Sequence, residues 1–427
     1  MFKRLIISNL ILFFSFYYTA TAQKQINSPY SRFNIGALES QGSFKSRGMG
    51  GLGIGMRDNS SIFYQNPASY SSLDTNSFSF DFGFDFGLNV LKEGESRYTS
   101  NDMNFNHLIM GFPIARGWGI ATGIVPVSYG YYNISESVAE GDANYDPMTG
   151  PYSIYHTGKG GLSNFFMGTG VNITKNFSLG LNMNVMFGIL ERNYSLQFSD
   201  ITTYYHDGAS EKMQVHGINF DYGIQYRANL KNDYFLNAGL SVTAGKTYKS
   251  NYDYIAVRTS AYNSVDTIEY TSENDAPVYL PVSYKAGFSF GKKNKFTTGF
   301  DFISSKWSKA EIPGYSGYSA DTRTYIWGLE IVPEKYSNFS LLKRLEYRVG
   351  AHMGDNYLII KGEQIKEMGA SFGIGLPLRR TLSRVNLYID YTKKSGAEAA
   401  GLHTERIMTI GGSLNFYDFW FIQRKYN

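Results

Sequence analysis

The chain has 427 residues, no cysteine, and a net charge of +4 from 40 basic and 36 acidic side chains. This near balance leaves no basic stripe for nucleic acid, and the lack of cysteine excludes disulfides as a source of stability. The 35 tyrosines, 31 phenylalanines and 45 glycines accompany a slightly negative mean hydropathy. This combination is typical of membrane β-barrels, which have aromatic girdles outside and a polar lumen inside.

Residues 1–22 have the pattern of a secretory signal peptide. Lys3 and Arg4 precede an apolar run from Leu5 to about Tyr18, and small residues surround a cleavage site near Ala22. The alternative, a transmembrane anchor, needs about 20 apolar residues, and this run is shorter. We therefore predict an exported chain that is delivered to the outer membrane.

Residues 23–76 do not alternate cleanly and are rich in glycine, serine and asparagine. Their apolar content favours a segment that folds into the barrel as a hatch, and a disordered tail is the alternative. The residues that mark this segment are Gly48, Gly50, Gly51, Asp58, Asn66, Pro67 and Ala68.

Residues 77–416 contain fourteen segments in which apolar and polar side chains alternate. In the clearest one, Leu179 to Ile189, the apolar residues fall on one face and glycine or asparagine on the other. A period of two indicates strands, and apolar residues opposite polar ones suit a wall with lipid outside and water inside. The predicted strands cover 77–89, 104–115, 118–132, 163–174, 176–198, 213–229, 233–254, 279–291, 295–308, 322–333, 341–353, 365–378, 384–396 and 404–416.

The connections between these segments alternate in length. Short turns, such as Arg116-Gly117, alternate with longer loops, such as residues 133–162 and 255–278. Bacterial barrels place short turns in the periplasm and long loops outside the cell. Asp81 and Asp85 share one face of the first strand and are expected to line the lumen as solvated or paired charges. Residues 417–427 are predicted to be a periplasmic extension.

Pro126 lies inside the third predicted strand. Proline cannot donate to a strand ladder and is normally confined to edges, strand starts or bulges. It therefore marks either a lateral opening in the wall or an ordinary bulge.

The glycine-rich stretch, the Asp58 segment and Asn66-Pro67-Ala68, followed by a long barrel, resemble the FadL-type outer-membrane transporters of hydrophobic compounds. The segment from Asn27 to Gly36 and the strand from Phe372 to Leu378 look more like the Bacteroidota branch. The resemblance implies a fourteen-stranded barrel with an N-terminal hatch and a side exit beside an irregular third strand. It implies no transferable set of ligand-contacting residues.

No catalytic, cofactor or metal site is predicted. Gly48-x-Gly50-x-x-Gly53 matches a dinucleotide-binding fingerprint as a string but has no βαβ context, and the six histidines have no paired ligand spacing. The expected partners are outer-membrane lipids with either a hydrophobic small molecule or another outer-membrane complex. The chain is thus predicted to be a non-enzymatic transporter, with a barrel subunit of a secretion or assembly complex as the alternative and an open porin as the third.

Overall fold

The computed structural model describes residues 28–93, 96–199, 205–260, 264–378, 381–396 and 403–419. These residues form one antiparallel sheet of fourteen strands. The sheet closes on itself because the last strand pairs with the first from Thr404↔Lys92 to Phe419↔Ser77. The predicted fourteen-stranded barrel is therefore confirmed.

Each strand pairs with its neighbours along the chain, and three strands contain a two-residue break. In order they are β1 (Ser77–Glu93), β2 (Ser96–Ala115), β3 (Trp118–Tyr129 and Tyr132–Val138), β4 (Tyr152–Asn172), β5 (Phe177–Phe198), β6 (His206–Asn229), β7 (Tyr234–Thr243 and Lys246–Thr259), β8 (Val265–Leu280 and Ser283–Lys292), β9 (Phe296–Ser305), β10 (Thr322–Ile331), β11 (Glu346–Ile360), β12 (Glu363–Pro377), β13 (Arg384–Ser395) and β14 (Thr404–Phe419).

Short helical pieces accompany the strands. They are the α-helices α1 (Phe44–Arg47) and α2 (Leu341–Arg344) and 3-10 turns at Pro29–Arg32, Pro67–Ser72, Lys231–Asp233 and Trp307–Lys309. No helix in the described ranges is both long and apolar enough to cross a membrane.

The outer face of the wall is apolar, as the alternation predicts. On β5, Leu181 and Ile189 are exposed while Asn182 and Asn184 are buried on the inside, and on β6 Phe220 and Ile224 point outward. An apolar outer belt with polar residues inside is the arrangement that lipid requires.

The predicted long loops at 133–162 and 255–278 are wrong in extent, because much of each is strand. β3 continues to Val138, β4 begins at Tyr152, and the β7–β8 hairpin reaches Thr259 and Val265. Beyond the apolar belt both faces meet water, so the alternation fades while the backbone ladder continues. Similarly, β11 was expected from 341 but begins at Glu346, after α2.

The described part of the N-terminal segment, residues 28–76, lies inside the barrel. Phe44, Met49, Leu52, Ile54 and Phe63 are almost completely buried, so these residues are not a disordered tail. The predicted signal peptide and residues 420–427 of the predicted extension lie outside the described residues. β14 itself runs to Phe419, past the expected end of the barrel at residue 416.

Candidate functional site: a filled lumen and an interrupted wall

Glycines on the inner face of the wall let the N-terminal segment approach the strand backbone. A Cβ atom built at Gly350 of β11 would overlap the backbone of Met49 and Gly50, and one at Gly239 of β7 would overlap the carbonyl oxygen of Ile54. The same close approach occurs at Gly119, Gly170, Gly180, Gly223 and Gly328. Sequence reasoning placed inward glycines in a water-filled lumen and missed that they form the seat of this segment.

The glycine-rich stretch forms the turn that follows α1. Gly50 and Gly51 have φ angles of +73° and +99°, a left-handed conformation that favours glycine. The Gly50 N–H donates to Ser371 Oγ of β12 at 2.8 Å, and Gly48 packs against the backbone of Gly373. Gly48 and Gly50 are thus held against β11 and β12, and Gly51 lies beside Ile326 of β10.

Asn66 connects the Asn-Pro-Ala triplet to the opposite side of the wall. Its Oδ1 accepts from the Ala68 N–H at 3.2 Å and caps the 3-10 turn that begins at Pro67. Its Nδ2 lies within hydrogen-bond distance of the carbonyl oxygens of Ile54, Ile224 and Leu240, at 3.0, 3.2 and 3.3 Å. This fully buried side chain therefore joins two parts of the segment to β6 and β7.

Asp58 belongs to a buried ion network near the end of the barrel that carries the short turns, here called the short-turn end. Lys45 Nζ lies 2.7 Å from Asp58 Oδ2 and 3.3 Å from Glu330 Oε1. Glu330 pairs with Arg348, and Glu346 pairs with Arg348 and Arg384. Burial alone would raise the pKa of Asp58, but Lys45 and Arg384 hold it well below its usual value.

Asp81 and Asp85 point inward as predicted and are paired rather than solvated. Asp81 Oδ1 lies 3.3 Å from His107 Nε2. Asp85 Oδ2 lies 3.2 Å from Arg47 Nη1 and accepts from Asn106 Nδ2 at 2.7 Å. Arg47 also pairs with Glu39. This arginine of the N-terminal segment therefore binds one carboxylate of the wall and one of the segment itself.

Two further inward side chains that the sequence analysis did not single out hold the backbone of the segment. Gln225 Nε2 donates to the carbonyl oxygens of Ile54 and Met56 at 2.9 and 3.0 Å. Asp301 Oδ2 accepts from the N–H groups of Gly53 and Ile54 at 2.7 and 2.9 Å. In the sequence, each of these two polar residues lies between two outward-facing aromatic or aliphatic residues. This pattern indicates that the side chain points inward, but it does not predict which group the side chain contacts.

The wall is interrupted between β2 and β3. In the described residues their ladder ends at Leu108↔Ile124, two positions before Pro126, and the pairing of β3 with β4 shifts register between Pro126 and Ser128. The N-terminal segment pairs with the freed edge of β3 through Ala37↔Tyr129 and Leu38↔Ser128. Pro126 thus lies at a bulge and also at the point where β2 and β3 separate.

A cavity of about 370 Å³ lies in the lumen beside this interruption. Leu38, Val125 and Val127 line it on the side of the interruption. Apolar residues elsewhere on its surface include Phe166, Met186, Tyr248, Leu280, Ile303 and Trp307. Polar residues such as Asn184, Asp221 and Lys285 complete the lining, so the cavity is mixed rather than purely apolar.

The structure places the marked residues in separate regions. Gly48, Gly50 and Gly51 contact one side of the wall, Asn66, Pro67 and Ala68 contact the other, and Asp58 lies in the ion network. Pro126 is on the wall at the interruption. Within the described ranges, no three His, Asp or Glu residues are grouped as metal ligands.

The family model described as BamG matches residues 1–427. Comparison with curated proteins gives no match. Among solved structures, the chain is similar to the CymD monoaromatic hydrocarbon channel, with a TM-score of 0.57, 15% identity, and coverage of 90% of this chain and 99% of that one.

Two further solved structures are similar to the chain. The Pseudomonas putida toluene transporter TodX has a TM-score of 0.54 and 15% identity over 91% of this chain and 100% of that one. The Ralstonia pickettii toluene transporter TbuX has a TM-score of 0.52 and 12% identity over 88% and 99%. These likenesses establish a shared barrel fold.

Proposed function

Since the chain belongs to the BamG family and has the fold of FadL-type hydrocarbon channels, we propose that it is an outer-membrane barrel that transports small hydrophobic molecules. The observation that carries the proposal is that the cavity adjoins the interruption of the wall. Val125 and Val127 line the cavity, and they flank Pro126, which lies at the interruption. A molecule in the cavity therefore has the separated edges of β2 and β3 beside it.

The chemistry of the cavity fits a small apolar or aromatic solute. Ligand pockets of about 300–1,000 Å³ are usually lined by apolar and aromatic side chains with a few polar groups, and a cavity of about 370 Å³ is at the small end of this range. Backbone groups left unpaired by the interruption would be costly in lipid. The segment Ala37–Leu38 satisfies those of β3 and covers the path from inside.

The test measures uptake of radiolabelled toluene by cells that carry equal surface amounts of each variant. Ile303→Trp places a large side chain in the cavity and should slow uptake several-fold. Ile218→Trp on the lipid-facing surface is the matched control and should leave uptake unchanged. Pro126→Val should also slow uptake, because it restores a backbone donor at the interruption. Uptake by Ile303→Trp at the wild-type rate would contradict transport through the cavity.

The second candidate is a barrel subunit of an outer-membrane assembly or secretion complex. The family name BamG and the match along the whole chain support it, as does the ion-paired packing of the segment in the lumen. Depletion separates the two candidates. A subunit that acts in assembly predicts lower amounts of other outer-membrane barrels after depletion, whereas transport predicts slower solute uptake with those amounts unchanged.

A further inference from the structure

The short-turn end of the barrel contains an open cavity of about 630 Å³. Its lining comes from the N-terminal segment, from the short-turn ends of strands β6 to β11 and β13, and from the turns that follow β6, β8 and β10. On one side lies the ion network, in which three cations, Lys45, Arg348 and Arg384, meet three carboxylates, Asp58, Glu330 and Glu346. This side is therefore electrically balanced.

The other side has an excess of positive charge. Its six cations are Arg57, Arg227, Lys292, Lys293, Lys295 and Lys335. Within the described residues none of the six forms an ion pair with a carboxylate. Asp233 is the one other acidic residue in the lining outside the balanced network.

Arg57 shows most clearly that this charge lacks compensation. Its guanidinium donates to oxygens of Ser71, Asn172, Ser178 and Gln225, all of which are neutral groups. Burial and the neighbouring Arg227 lower the pKa of Arg57 to about 10. A half-buried cation in neutral surroundings, next to a second cation, would be stabilised by an anion in the cavity.

Aromatic rings lie between the cations. The Arg227 guanidinium carbon is 4.8 Å from the Phe235 ring centroid, Lys292 Nζ is 5.2 Å from that of Tyr234, and Lys335 Nζ is 6.0 Å from that of Tyr336. These contacts hold both partners at the surface of the cavity. The cations are thus distributed over several elements with apolar surface between them, rather than converging on one point.

We propose that this cavity binds an extended acidic polypeptide segment of a partner protein. Several carboxylates along one chain match separated cations, and the apolar parts of such a chain match the intervening rings, whereas a single phosphate would use only a few of these groups. This inference does not depend on the proposed transport function, because the site is separate from the cavity that lies beside Pro126.

The test uses the full-length protein in neutral detergent at low salt. The probe is a fluorescein-labelled peptide of alternating Glu and Ser, and the same peptide with Gln for Glu is its control. Fluorescence anisotropy should show saturable binding of the Glu peptide that weakens as salt screens the charges. The triple variant Lys292→Gln, Lys293→Gln, Lys295→Gln should bind about tenfold more weakly, because it removes three cations that pair with the peptide carboxylates.

A second triple variant, Lys175→Gln, Lys231→Gln, Lys343→Gln, removes the same charge from the short-turn end but outside the cavity. It should bind the peptide within about twofold of wild type. Equal weakening by the two triple variants, or equal binding of the Glu and Gln peptides, would overturn the proposal. Displacement of the peptide by inorganic phosphate or by phosphatidylglycerol in mixed micelles, at matched charge concentration, would also overturn it, and would assign the cavity to a small anion or a lipid headgroup.

Discussion

At the scale of single residues, the inward glycines determine how closely the wall and the N-terminal segment can pack. Gly350→Ala places a Cβ against the backbone of Met49 and Gly50, neither of which can rotate away as a side chain could. We expect the segment to be displaced and stability to fall by about 1–3 kcal/mol, the usual cost of overpacking. Limited proteolysis within residues 28–76 and unfolding in lipid would measure both effects.

Gly208→Ala on β6 is the matched control, because a Cβ there meets its nearest atoms at 3.6 Å. Alanine in a strand is otherwise favoured over glycine by about 0.5–1 kcal/mol. The two substitutions should therefore have opposite signs. Stabilisation by both would show that the segment does not rest on Gly350.

Asp58 gives the docking of the segment a defined pH dependence. Because Lys45 and Arg384 depress its pKa in the folded protein, its contribution is fully present above its unfolded pKa of about 3.9. That contribution is lost as the pH falls below this value towards the folded pKa. The contribution of Asp58 to the protease resistance of residues 28–76 should therefore be constant from neutral pH to about pH 5 and decrease below about pH 4.

The variant Asp58→Asn removes the titrating group and leaves Lys45 with Glu330 as its remaining carboxylate partner. It should lower protease resistance at neutral pH and weaken the acid-dependent decrease. A wild-type acid profile in Asp58→Asn would assign the decrease to other carboxylates of the network.

At the scale of strands, the assignment of side chains to the lipid-facing or the lumenal face can be tested by the stability of arginine variants. Ile224→Arg and Phe288→Arg place a cation on the outer face, where both side chains are exposed on the apolar belt. Each should cost about 2–4 kcal/mol near the middle of the bilayer. Ser283→Arg faces the cavity that already contains Lys285 and should cost much less. Equal losses for the three variants in lipid refolding would contradict the assignment.

The sequence predicted strands well where one face meets lipid, because lipid outside and polar groups inside impose a period of two. It predicted poorly where that contrast ends, as in the β3–β4 and β7–β8 hairpins, whose ladders continue through segments without alternation. It also could not show what fills the lumen. Gln225 is an inward polar residue, yet it is fully buried and bonded to the backbone of Ile54 and Met56 rather than exposed to water.

The placement of Pro126 shows the same division between local and long-range information. A proline within a strand predicts an irregularity in the ladder, and the bulge in the pairing of β3 with β4 is such an irregularity. The pairing of Ala37–Leu38 with the β3 edge joins residues about ninety positions apart in the chain. No local pattern in either segment specifies that contact, because it depends on how the whole N-terminal segment is seated.

At the scale of the whole molecule, the N-terminal segment depends on the barrel more than the barrel depends on the segment. The fourteen-stranded ladder closes through β1 and β14 without a strand from residues 28–76, so the wall should form without them. The segment, in contrast, obtains its partners from strands all round the wall, including Gln225, Asp301, Ser371 and Arg384.

Deletion of residues 28–76 with residues 1–27 retained should therefore yield a barrel that inserts but is less stable and conducts ions. Stability should fall because inward side chains such as Glu330 and Asp301 lose buried partners in the segment, namely Lys45 and the backbone of Gly53 and Ile54. Conductance should rise because the segment backbone packs against the inward glycines of the wall. Its removal would leave a lumen wide enough for water and ions. Single-channel recordings of wild type and the deletion in planar bilayers would measure this. Negligible conductance in an inserted deletion variant would mean that the wall residues of the apolar cluster around Trp307 and Tyr357, at the other end of the lumen, close the barrel without Tyr30 and Ile35 of the segment.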